Sequence, residues 1–254
     1  MKIATFNANG IRAAAKKDFW SWFMKMDIDI LGIQETKIQE NQLNPMEYKL
    51  MGYDNYWHSA EKKGYSSVGI LTKYKPLNVV KGMGIEKYDR EGRVIRVDFE
   101  NFSVVNAYIP SGTSGEERHQ YKLEFLKDFR QYLQEVQSKQ QNLIVMGDYN
   151  IVHKRADIHN PDRKDNPSGY RPDERAWLDD FYSSGFHDAF RMIYADDILF
   201  SWWSYRAGSR QRNKGWRIDH ISVSDSLKDE VKDVKIYKDP VFSDHCPVVL
   251  DINI

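Results

Sequence analysis

The chain has one cysteine in 254 residues, Cys246, so no internal disulfide can form and the fold must rest on burial and hydrogen bonding. That suits a reducing compartment. It also lacks an excess of either charge: 37 Lys and Arg residues balance 37 Asp and Glu. No global field therefore steers an anionic polymer toward it, and any basic surface must be local. No apolar run approaches the roughly 20 residues of a membrane span, and no signal-peptide pattern opens the sequence, so a soluble intracellular protein is expected. Cys246 stands beside His245, but Cys246-Pro247-Val248-Val249-Leu250 reads as a buried strand, where a thiol is inert. No repeat, linker or low-complexity tract divides the sequence, and one domain over residues 1–254 is expected.

What is present can build a sizeable core, with 41% hydrophobic and 13% aromatic residues. Short apolar runs bounded by turn residues predict strands at Ile3–Asn7, Ile28–Gln34, Tyr53–His58, Ser67–Thr72, Val94–Phe99, Phe102–Tyr108, Leu143–Met146, Ile218–Val223, Val234–Tyr237 and Val248–Ile252. Glu100-Asn101 is the expected turn of a hairpin. Leu123, Phe125, Leu126, Phe129, Leu133 and Val136 recur at helical spacing, with Ser114 and Glu117 spaced as a capping box. A second helix is predicted from Pro172 to the Ser-Ser-Gly at 183–185. Two long polar stretches, Asp157–Arg171 and Arg206–Arg217, read as functional loops.

Six short polar clusters carry the chemistry: Asn7-Ala8-Asn9-Gly10, Gln34-Glu35-Thr36-Lys37, Tyr108-Ile109-Pro110, Gly147-Asp148-Tyr149-Asn150, Ile218-Asp219-His220 and Ser243-Asp244-His245. Five of them close an apolar run. In a layered α/β protein, strand ends on one edge converge, so residues far apart in sequence can share a pocket. Carboxylate and carboxamide oxygens without a Cys or His cluster favour Mg²⁺ or Mn²⁺ over zinc. Asp148 is the best candidate to activate or orient a water, while His245, Asn150 and Tyr108 can donate to a phosphate. Together they suit metal-assisted hydrolysis of a phosphate ester.

The segments TFNANGIRA, LGIQETK, NAYIPSG, VMGDYNI, GWRIDHI and SDHCPVVL, in that order, resemble the signatures of the exonuclease III family of abasic-site (AP) DNA endonucleases. That family lies within the DNase I-like endonuclease/exonuclease/phosphatase superfamily. The resemblance implies an α/β fold, a four-layered αββα sandwich of two packed mixed sheets flanked by helices. It implies an Mg²⁺-dependent repair enzyme, with Mn²⁺ able to substitute, that incises duplex DNA 5′ to an abasic site and trims blocked 3′ ends. A monomer without membrane association is expected. By the same resemblance Glu35 binds the metal, with Asn9 and Asp244 as further ligands, although Asp244 could equally support His245. Asp148 and Asn150 position the attacking water and contact the phosphate, Asn7 holds Asp148, Asp219 orients His245, and Tyr108 faces the phosphate.

For the DNA face, Trp202, Trp216 and Ile218 match the region that receives a flipped-out abasic sugar, while strand alternation turns Trp203 to the core. Arg206, Arg210, Arg212, Lys214 and Arg217 suit phosphate contacts. Two positions depart from the pattern. Ser111-Gly112 follows Pro110 where many relatives carry Asn, and Asn166 lies one place from where an active-site asparagine aligns. Two alternatives stay open: a superfamily phosphoesterase acting on phospholipids or inositol phosphates, which would not need the GWRID segment, and a non-catalytic DNA-binding module, which would not need every polar role filled.

Overall fold

A computed structural model describes residues Met1–Ile254. The strands are β1 (Lys2–Asn7), β2 (Ile30–Gln34), β3 (Asp54–His58), β4 (Val68–Thr72), β5 (Asn78–Lys81), β6 (Val94–Asp98), β7 (Ser103–Tyr108), β8 (Leu143–Asp148), β9 (Phe186–Asp188), β10 (Trp202–Trp203), β11 (Gly215–Trp216), β12 (Asp219–Ser224), β13 (Val231–Ile236) and β14 (Val248–Ile252). The helices are α1 (Ile11–Ala15), α2 (Phe19–Met26), α3 (Pro45–Leu50), α4 (Glu86–Asp89), α5 (Glu116–Gln137), α6 (Pro172–Ser183) and α7 (Ala189–Ile193). Two six-stranded sheets form, in the orders β13-β14-β1-β2-β4-β3 and β5-β6-β7-β8-β12-β9, with β10 and β11 as a separate ribbon.

Alternation along the strands explains the layering. Ile30 and Ile70 face inward to the other sheet, meeting Val104, Ile144 and Met146, while their neighbours Leu31 and Leu71 face outward under α1 and α2. On the second sheet Val105 and Val145 turn outward, beneath Phe125, Phe129 and Leu133 of α5 and Phe181 of α6. Strands buried on both faces need continuous apolar runs, and these have them. The result is the expected helix–sheet–sheet–helix order.

Hydrogen bonding shifts several expected boundaries. The β6–β7 hairpin turns at Glu100-Asn101 as its sequence suggests, and β8 runs on to Asp148. The expected capping box is corrected: α5 starts after Gly115, which has no side-chain cap, and neither Ser114 nor Glu117 closes the box. The short strands β5 and β9 escape the sequence pattern because three or four residues carry no usable alternation.

Candidate active site

Strand direction gathers the polar clusters on one rim. Strands β1 and β2 are parallel, so Asn7 and Glu35 leave the first sheet at the same edge, and β14, antiparallel to β1, begins there just after His245. In the second sheet β7 and β8 are parallel with Tyr108 paired to Asp148, and β12, antiparallel to β8, pairs Asp219 with Asp148. Gly147 makes this register possible. A Cβ there would come within 1.8 Å of the Ala107 carbonyl oxygen, and its φ of 148° is one that L side chains rarely adopt.

A continuous hydrogen-bond system joins the two sheets. Asn7 Nδ2 donates to Asp148 Oδ2 at 2.8 Å and to Glu35 Oε1 at 2.9 Å. The Asn150 backbone N–H donates to Asp148 Oδ1 at 2.8 Å, and its side-chain amide to the Ile109 carbonyl at 3.0 Å. Ring nitrogen Nδ1 of His245 lies 2.9 Å from Asp219 Oδ2, which also accepts from Ser201 Oγ at 2.6 Å. That bond aims Nε2 of His245 at Asp148, 3.9 Å away. Glu35, Asn9 and Asn150 hold left-handed φ of 47°, 44° and 51°, conformations that persist only where surroundings impose them.

Electrostatics divide the labour. Burial, reinforced by Asp219 and opposed by His245, pushes the Asp148 carboxyl up to about 7. Burial alone would lower His245, but the Asp219 carboxylate outweighs it and raises the imidazole to about 10, so both ring nitrogens carry protons at neutral pH. Burial would also raise Glu35, yet the Lys37 ammonium and the Asn7 amide keep it below the ordinary range. Burial and the nearby Glu35 carboxylate hold the Tyr108 phenol well above its ordinary value, and therefore protonated.

A match to the model of the endonuclease/exonuclease/phosphatase family covers residues 4–245, nearly the whole chain and every rim residue from Asn7 to His245. The chain belongs to that family. It is 43% identical to an exodeoxyribonuclease of Bacillus subtilis, all of both chains being covered. With the DNA repair nuclease APEX1 of Danio rerio it shares 38% identity, covering 98% of this chain and 81% of that protein. Among solved structures it is similar to an AP endonuclease from Archaeoglobus fulgidus (TM-score 0.91, 30% identity) and to the Neisseria 3′ phosphatase NExo bound to a product DNA hairpin (TM-score 0.91, 26% identity), each fully covered in both chains. This family member is a hydrolytic nuclease of the exonuclease III and AP endonuclease type.

The nuclease's carboxylates fit a hard divalent cation. Donor atoms of Glu35, Asp148 and His245 lie within 4.8 Å of one another, and with His245 protonated the ligand oxygens are carboxylates. Asp244 falls outside this group. Its carboxylate accepts from Asn9 Nδ2, Ser243 Oγ and Trp202 Nε1, makes no hydrogen bond to His245, and adds to the negative charge that keeps the imidazole protonated. The Asn9 Oδ1 is taken by the Lys37 ammonium, which also pairs with Glu35 at 3.0 Å. Asn9 and Asp244 thus pair with each other, and Lys37 links Asn9 to Glu35.

Trp202 and Trp216 pair across the β10–β11 ribbon, with ring centroids 5.6 Å apart, and pack with Ile218 in one small apolar cluster. Backbone bonds from Cys246 to Ser201 and from Trp203 to Asp244 fasten this ribbon to the His245 segment. Trp203 is buried with Phe200 and Cys246, and burial holds that thiol far above its ordinary pKa. The basic residues separate. Arg206 is exposed with no ion pair, whereas Arg210 lies over the Trp203 ring and donates to the Ser243 and Lys238 carbonyls, anchoring the loop before His245. Arg217 is no phosphate contact: it is fully buried and paired with Asp157 and Asp188. Asn166 sits exposed on its loop, and Ser168 of the same loop is tied to the Tyr108 side through the Gly112 N–H.

Sequence reasoning gave no role to Lys37, which bridges Glu35 and Asn9, or to Arg93, whose guanidinium lies 4.8 Å from the Tyr108 ring and donates to its carbonyl. It also passed over Ser201. Lys37 stands inside the quoted LGIQETK segment and could have been found there; Arg93 and Ser201 lie outside every motif and gave no signal.

Proposed function

We propose that this nuclease is a Mg²⁺-dependent DNA repair phosphodiesterase, with Mn²⁺ able to substitute. It incises duplex DNA 5′ to an abasic site, leaves a 3′-hydroxyl, and processes 3′ ends as an exonuclease and phosphatase. It works as one domain over residues 1–254, a monomer inside the cell. The observation that carries this reading is the linkage of Asn7, Glu35, Asp148, Asp219 and His245 on one rim, beside an aromatic cluster on the same edge. The relatives named as an exodeoxyribonuclease, an AP endonuclease and a 3′ phosphatase support the same substrate class.

Each residue has a physical task. Glu35 would hold the cation, which would supply positive charge on the phosphate oxygens and make phosphorus more electrophilic. Asp148, held by Asn7 and Asn150 and pushed up to about 7, accepts a proton from the attacking water near neutral pH. Protonated His245, oriented by Asp219, donates through Nε2 to a phosphoryl oxygen as charge develops there. The Asn150 amide and the Tyr108 hydroxyl donate to the same group. Trp202, Trp216 and Ile218 take the bare sugar, since an abasic nucleotide costs less to extrude than an intact one and a small apolar pocket excludes a base.

The test is incision of a duplex with one abasic analogue, run beside intact, nicked and 3′-phosphate duplexes. Mg²⁺-dependent cleavage 5′ to the analogue is expected; cleavage that persists in excess chelator, or none with metal present, contradicts the proposal. Hydrolysis of soluble phosphoesters with no action on DNA would favour the non-DNA alternative.

A further inference from the structure

Behind the rim lies a buried ion pair to which no catalytic task has been given. Lys122, in the second turn of α5, and Glu174, in the first turn of α6, are both fully buried and meet at 2.7 Å. Removing two such charges from water is expensive, and an apolar pair of similar volume is often as stable or more so. Position 122 lies on the same helix face as Phe125, Leu126 and Phe129, where a leucine or methionine would pack.

The pair's remaining bonds show what it holds. Lys122 Nζ donates to the Asn150 carbonyl at 2.8 Å. Glu174 Oε2 accepts from the backbone N–H groups of Gly169 and Arg171 at 2.6 and 2.9 Å, and Oε1 accepts from Ser168 Oγ at 3.2 Å. Ser168 Oγ in turn accepts from the Gly112 N–H, in the loop after Tyr108. Gly169 is wedged in place: a Cβ there would lie 3.0 Å from the Asn150 carbonyl oxygen and 2.9 Å from the Trp216 ring. One buried ion pair thus fixes the backbone of Asn150, the loop beneath Trp216 and the loop after Tyr108. We infer that Lys122 and Glu174 are positioning residues for this reaction, setting the left-handed backbone of Asn150 so that its side-chain amide is held against Asp148.

This inference rests on the proposed role of Asn150, and a double-mutant cycle separates the two. Initial rates on the abasic duplex with Mg²⁺ are measured for Lys122→Met, Asn150→Ala and the combination. Lys122→Met is expected to lower kcat by about tenfold to a hundredfold with KM little changed, since a misplaced catalytic group loses rate without losing substrate contacts. In the Asn150→Ala background the same substitution should remove no more than about twofold further, because the residue it positions is gone. Lys122→Arg, which keeps a cationic donor, should restore most of the lost rate. Should Lys122→Met fail to fold, Glu174→Gln takes its place in the cycle: it keeps an oxygen for Gly169 and Arg171 while removing the charge that holds the ammonium. Full multiplication of the two losses, or wild-type kcat in the variant that breaks the pair, overturns the inference while leaving the catalytic role of Asn150 standing. Wild-type kcat in Asn150→Ala overturns both.

Discussion

His245 and Asp148 show how much of the site's chemistry is set by neighbours one bond away. Two carboxylates flank His245, Asp219 at 2.9 Å on Nδ1 and Asp148 at 3.9 Å on Nε2, and together they keep the buried ring charged. Replacing Asp219 with Asn removes the charge opposite Nδ1, so the imidazole should titrate lower, toward neutral pH. The expected outcome for Asp219→Asn is a pH–rate profile whose alkaline limb moves to lower pH, together with a loss in kcat of about a hundredfold; an unmoved limb would show that Asp219 does not control the ring. Most polar residues of the rim were legible in sequence because they close strand-like runs. The anchoring of the loop before His245 by Arg210 was not legible in the same way, since it depends on which carbonyls a guanidinium reaches, and spacing does not encode that.

At the scale of elements, the strands that carry the site were legible from their apolar runs, and parallel or antiparallel pairing then decided which ends share an edge. The polar network beneath the second sheet was not, since a basic residue in a Gly- and Arg-rich stretch reads as a solvated cation. Arg217 instead ties the Asp157 loop to Asp188 at the end of β9, next to the cluster of Trp216 and Ile218. Burial alone would raise both aspartates, but the guanidinium holds them below the ordinary 3.8. Depressed folded-state values stabilise the fold above pH 3.8, and that contribution is lost as pH falls through the folded values. Arg217→Met removes the arginine paired with buried Asp188 and leaves Asp157 with Arg191 alone, so a loss of about 3–5 kcal/mol is expected at pH 7. In urea unfolding across a pH series, the gap between variant and wild type should narrow as pH falls, first as burial lets the variant's Asp188 take up a proton above 3.8 and then below 3.8 as the wild type loses its paired carboxylates. A gap independent of pH would mean that the pairing contributes nothing.

For the whole molecule, the zero formal charge leaves selectivity and affinity to local features. Trp202 and Trp216 present apolar surface, and exposed Arg206 presents a free cation. Trp216→Ala should reduce discrimination between abasic and intact duplex while leaving the salt dependence of binding unchanged. Arg206→Ala should weaken both duplexes alike and lower the slope of log K against log salt by about one unit. Binding across a salt series in Ca²⁺ separates these outcomes, and full selectivity in the Trp216 variant would assign that ring to the core. Four layers, two sheets and a nuclease of this family were all legible from the ordered motifs. The division of the rim between metal and water was not, because it depends on which oxygens face each other across two sheets.

That division is tested most directly by titrating Mg²⁺ against the initial rate of abasic-site incision for wild type, Glu35→Ala and Asp148→Asn. Deleting the Glu35 carboxylate removes a ligand but leaves Asn7, Asp148 and Asn150 in place, so its rate should recover in part as metal rises. Asp148→Asn loses the group that accepts the water's proton, and should stay about a hundredfold or more below wild type at every metal concentration. Equal rescue of both variants, or of neither, would contradict the assignment of metal to Glu35 and water to Asp148.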